Sequence, residues 1–145
     1  MRNERSSLPR NLSCFVALLQ VALYAMLNTA HAGVIYLSDN GERVLQRMNA
    51  NGESIDTLAT RLMSPGGIAV DTDNGFLYWT EASPGVITRG RLDGSAPLQI
   101  RPPGLSMPIS LALDVPNGKM YWTDTGTGKV QRSDLFGGNV EDLVV

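Results

Sequence analysis

From Val34 onward the apolar residues fall into short runs broken by glycine, proline, asparagine and aspartate. Within each run their spacing is near two, the pleat of a strand, and not the 3.6 of a helix. Ile68-Ala69-Val70 is a compact apolar run of the kind a fully buried strand shows. Asp73-Asn74-Gly75, like Pro116-Asn117-Gly118, is a tight-turn signal. Each feeds a second strand, Phe76 to Thr80 or Lys119 to Thr123. A loop then leads to a third strand, Val86 to Arg91 or Lys129 to Leu135. A glycine turn at Asp93-Gly94 or Gly137-Gly138 precedes a fourth, more polar strand. No stretch after residue 32 carries a helical stripe.

The same pattern returns along the chain. Asp71, Gly75, Tyr78, Trp79, Arg89 and Ile100 match Asp114, Gly118, Tyr121, Trp122, Arg132 and Leu143, each pair 43 residues apart with no gap. A third copy begins at Val34, where Tyr36, Arg47, Gly52 and Leu58 stand 42 residues before Tyr78, Arg89, Gly94 and Ile100. Repeat one spans 33–65, repeat two 66–107 and repeat three 108–145. A period near 40 with four hairpin-linked strands predicts the blades of a β-propeller, since one such unit cannot bury its faces alone. The polar fourth strand suits the outer edge of a blade, where charge deters pairing. Repeat one starts directly at its second strand and is incomplete.

Residues 1–32 follow another rule. Arg2, Arg5 and Arg10 stand against a lone Glu4, then an apolar run extends from Leu12 to Leu27, and Ala30-His31-Ala32 supplies a small-x-small cleavage pattern. Together these predict a secretory signal peptide. The run is 16 residues long and holds Gln20, short of the ~20 residues that cross a bilayer. The expected mature chain, from Gly33, is secreted, extracellular or periplasmic, with no membrane span.

Composition matters mainly through that cut. The whole chain is 43% hydrophobic and 18% charged, with 15 Gly, 8 Pro, one Cys and one His. It is too apolar for disorder and too rich in turn-formers for a helical bundle. Cys14 and His31 both lie in the leader, so the mature chain offers no thiolate nucleophile and no imidazole base or ligand. With Arg2, Arg5, Arg10 and Glu4 removed, nine basic and 13 acidic residues remain, a net charge of −4. That charge does not recommend nucleic acid, and the missing thiolate and imidazole argue against most hydrolytic mechanisms. No catalytic residue, metal site or cofactor is expected.

Tyr78-Trp79-Thr80-Glu81 and Tyr121-Trp122-Thr123-Asp124 resemble the YWTD repeat, the class B repeat of the low-density lipoprotein receptor family. The preceding Gly-Ile-Ala-Val-Asp and Ser-Leu-Ala-Leu-Asp, and the following Arg-Leu-Asp-Gly, match the same repeat. In the first copy the tetrad is degraded to Tyr36-Leu37-Ser38-Asp39. The resemblance implies an all-β, six-bladed propeller of which this chain supplies three blades. It also implies that the first strand of each blade lines the axis, and that the domain binds protein ligands and does not catalyse. Receptor propellers come with cysteine-rich modules and a membrane span. This chain has neither and looks more like the stand-alone propellers of bacterial envelopes. The half-count points first to a truncated reading frame and second to a homodimer that completes the ring.

Two groups of residues stand out within the repeats. Tyr36, Tyr78, Trp79, Thr80, Tyr121, Trp122 and Thr123 form the structural motif, its aromatics suited to packing between blades because large rings bury ~150–250 Å2 each. Asp39, Glu81, Asp124, Asp71 and Asp114 are the candidate ligand-binding acids, an acidic rim beside the loop tips Asn40-Gly41, Ser83-Pro84-Gly85 and Thr125–Gly128. Such acids also cap strand ends and accept backbone N–H bonds in turns. Arg47, Arg89 and Arg132 recur as a solvated strand position or a bond to a neighbouring blade. A propeller enzyme of lactonase or lyase type, with a carboxylate-bound metal on the axis, is the alternative; it needs acids from at least three blades converging on one channel. The expected partner is a protein ligand or a second chain.

Overall fold

A computed structural model describes residues 33–145, which form eleven strands and no helix. The expected leader, with Cys14 and His31, lies outside the described residues. The strands make three antiparallel sheets, each from consecutive segments. The first holds β1 (Val34–Asp39), β2 (Val44–Asn49) and β3 (Asp56–Ala59). The second runs in order through β4 (Pro65–Asp71), β5 (Phe76–Glu81), β6 (Val86–Arg91) and β7 (Leu98–Ile100). The third repeats this with β8 (Pro108–Asp114), β9 (Lys119–Asp124), β10 (Lys129–Asp134) and β11 (Glu141–Val144). These are the blades of a partial β-propeller, as the repeat period predicts.

Turn chemistry fixes the hairpins. At the β4–β5 turn Gly75 has φ +74°, a backbone region that side chains other than glycine rarely adopt. The Asp71 carboxylate accepts the Asn74 backbone N–H at 3.0 Å and both contacts of its amide, closing the turn from inside. Asp114 and Asn117 repeat this at the β8–β9 turn, with Asn117 Nδ2 donating at 2.8 Å.

The innermost strands share an irregularity. Register shifts between Pro65 and Ile68 in β4, and again between Pro108 and Leu111 in β8. Such a bulge leaves a backbone N–H without its ladder partner. The tetrad threonine supplies the acceptor: Gly67 N donates to Thr80 Oγ1 at 2.8 Å, and Ser110 N to Thr123 Oγ1 at 3.1 Å.

Side chains on opposite faces of each sheet meet different neighbours. Ile68, Leu77 and Trp79 of the second sheet pack on Leu45 of the first, with Tyr36 and Leu58 beside it. On its other face Ala69, Tyr78, Ile87 and Ile100 pack against Leu111, Met120 and Trp122 of the third sheet. Both seams use one design: the aliphatic residues and Trp of one sheet enter the face carrying Tyr on the sheet before it.

Candidate partner-binding surface

The tetrad divides its work among four directions. In the second sheet Tyr78 faces the third sheet while Trp79 faces the first, and both are buried. Burial pushes the Tyr78 hydroxyl above its ordinary pKa, and the Arg89 guanidinium beside it opposes that rise. Thr80 Oγ1, besides accepting from Gly67, donates to Ile109 O of the third sheet at 2.8 Å. Ser38 holds the equivalent place in the first sheet and donates to Gly66 O at 2.6 Å. The fourth residue pins the connector from the preceding sheet. Glu81 accepts from Met63 N at 2.8 Å, and Asp124 accepts from Ser106 N at 2.7 Å and Met107 N at 3.1 Å.

The bonds that Asp124 accepts also set its charge state. Burial pushes its carboxyl up, but N–H groups of Ser106, Met107, Thr127 and Gly126 together hold it below the ordinary aspartate value. Its first-sheet counterpart Asp39 is only half-buried and accepts from Glu42 N at 2.9 Å within its own loop.

The five acids do not form one rim. Asp71 and Asp114 end the innermost strands and pair in register with Phe76 and Lys119. Glu81 and Asp124 end the second strands and pair with Pro65 and Pro108, at the opposite ends of the sheets. Asp39 lies at that same end of its own sheet, opposite Val44. Among the described residues no three Asp, Glu, His or Cys side chains converge where they could hold a metal ion.

Arg47 and Arg132 turn to their own outer strands, where they form ion pairs with Asp56 (3.0 Å) and Glu141 (2.8 Å). Arg89 does reach a neighbouring blade, stacking on the ring of Phe136.

The largest feature that residue-by-residue reading missed is the outer face of the third sheet. Position by position it repeats the face that the second sheet hides. Ala69, Tyr78, Ile87 and Ile100 are each at most 4% exposed. Their counterparts Ala112, Tyr121, Val130 and Leu143 are half-buried or exposed, Leu143 at 44%. Exposed Ile109 extends the same edge. The signal was present in the repeat alignment, because these positions stay apolar in the last copy.

Comparison with known proteins supports the architecture. No protein-family model matches the chain, and no curated protein matches it. Among solved structures it is similar to a nidogen/laminin complex, with 29% identity and a TM-score of 0.72 over 77% of this chain and 44% of that one. It is also similar to a catalytically inactive virginiamycin B lyase of Staphylococcus aureus with quinupristin: 19% identity, TM-score 0.60, 80% of this chain and 38% of that one. A TolB-like protein of Agrobacterium tumefaciens shares 19% identity at a TM-score of 0.63, over 76% of this chain and 44% of the other. The chain thus spans less than half the length of each. The neighbours include an enzyme and a binding module, so what they share with this chain is the propeller fold.

Proposed function

We propose that the chain is a secreted, non-catalytic protein-binding or scaffolding module of YWTD-type blades, which joins a second copy head to tail to complete a six-bladed ring. The open face of the third sheet carries this reading. A sheet that repeats an inter-blade surface calls for another blade against it. Six blades turn through about 60° each, so three turn through about 180° and two copies close under a two-fold axis.

The edge of that face favours the first sheet as its occupant. The second sheet has Gly66-Gly67 where the third has Ile109-Ser110. A Cβ on Gly67 would lie 2.5 Å from Leu111 N, and one on Gly66 would lie 2.7 Å from Ile109 O, so the pair of glycines admits the inner strand of the next sheet. Ile109 denies that approach. Among the described residues the first sheet has no inner strand to clash with it, and on the side away from Gly66 it presents the half-buried Ile35 beside Leu37 and Met48, which are already buried within one chain.

Support for protein binding over catalysis comes from where the marked acids spend their hydrogen-bonding capacity, in turns and connectors of the chain itself. The nidogen/laminin likeness points the same way. Secretion rests on the leader pattern of residues 1–32; among the described residues no helix is long and apolar enough to cross a membrane. Val130→Glu places a charge at the centre of the open face and is the direct test. It is expected to give monomers that keep the β-sheet circular dichroism of the parent, read by light scattering; an unchanged mass contradicts the proposed interface.

A further inference from the structure

The repeats also act as a control on a second surface. In the first and third sheets the recurring arginine is paired across to an acid on the outer strand, Arg47 with Asp56 and Arg132 with Glu141. In the second sheet Arg89 stands opposite Leu98, which is 51% exposed. The carboxylate is missing from the one place where the repeat puts it. Among the described residues the ion pairs are Arg47–Asp56, Lys129–Asp142 and Arg132–Glu141, so neither Arg89 nor Arg91 has an acidic partner.

What surrounds Arg89 is aromatic. Its guanidinium carbon lies 4.4 Å from the centre of the Phe76 ring and 5.0 Å from that of Phe136, on two different sheets. Arg91 also lies over the Phe76 ring, its guanidinium carbon 5.2 Å from the centre. Phe136 is 70% exposed at the tip of the β10–β11 turn. Asp134, two residues before Phe136, accepts N–H bonds from Phe136 and Gly138, both at 2.9 Å, and Asp71 holds Asn74. The Arg89 guanidinium also meets the Tyr78 hydroxyl, and stacking leaves its remaining in-plane N–H donors and those of Arg91 open to a carboxylate.

We propose that Arg89 and Arg91, framed by Phe76, Phe136 and Leu98, form a docking point for an acidic segment of a protein partner. A Glu or Asp carboxylate of that segment takes the place the missing outer-strand acid leaves, and a flanking apolar side chain covers Leu98 and Phe136. This rests on the protein-binding reading but not on the ring, because the patch lies within one copy.

Fluorescence anisotropy of the full chain with a labelled Gly-Leu-Glu-Leu-Glu-Gly peptide tests it, against the same peptide with Gln for Glu. The Glu peptide is expected to bind at least tenfold tighter. Leu98→Glu restores the internal acid and is expected to weaken that binding at least tenfold without lowering the thermal midpoint, whereas Arg132→Gln leaves it within twofold. Arg91→Gln, whose side chain is exposed, gives an independent loss should Leu98→Glu misfold. Equal affinity for the two peptides, no binding by the parent chain, or full binding by Leu98→Glu or Arg91→Gln overturns the docking point. None of those results bears on the mass of the assembly, so failure of the patch and failure of the ring are told apart.

Discussion

Asp124 and Thr80 carry more of the fold than their size suggests, because each satisfies backbone groups that no strand ladder reaches. Replacing Asp124 with Ala strands the N–H groups of Ser106, Met107 and Thr127, and a loss on the order of 3 kcal/mol is expected in urea unfolding. Its pH signature follows from the depressed pKa. The stabilisation is complete above the unfolded aspartate value of about 3.9 and disappears as pH falls through the lower folded value. The parent chain should therefore lose stability below about pH 4, and Asp124→Asn should lose less over that window. Thr80→Val removes both an acceptor for Gly67 and a donor to Ile109, for an expected loss of roughly 2 kcal/mol. Thr123→Val removes only the bond from Ser110, so the same measurement should register a smaller loss. The sequence marked all these residues by recurrence, yet recurrence is the same for a ligand and for a turn cap. Only the direction of the hydrogen bonds separates the two, and that depends on the connectors at 60–64 and 101–107, which have no repeat signal of their own.

Strands were the most legible level. Their spacing near two, and glycine turns at fixed offsets, place the second and third strands of repeats two and three to within about a residue of where they lie. The apolar pattern marks the innermost strand only over Ile68 to Val70, whereas β4 begins at Pro65. Two glycines look like a loop in sequence. In the sheet they are a bulged stretch held against the next blade, and no local pattern announces a neighbour 43 residues away. Gly67→Ala tests this close approach: its Cβ would meet backbone atoms of Leu111, Ile109 and Ser110, which cannot rotate aside. Overpacking of this kind typically destabilises by roughly 1–3 kcal/mol, and the thermal midpoint should drop accordingly. The acids show the opposite failure. Read as one rim, they divide between the two ends of the sheets, because Asp71 and Glu81 sit on strands that run antiparallel.

Among the described residues two seams between sheets are built, and the outer face of the third sheet repeats one side of such a seam. The seam between the second and third sheets buries Tyr78, Trp122 and Met120 almost completely. At roughly 25 cal/mol per Å2 of apolar surface, closing an equivalent seam is a favourable step for any sheet that fits. In the proposed ring the open face would take the next blade, and the Arg89–Phe136 patch lies within one copy. The most direct measurement is sedimentation equilibrium of the purified chain at micromolar concentration. A single compact species with the mass of two chains is expected. A folded species with the mass of one chain, persisting with Val130 and Leu143 exposed, would contradict it.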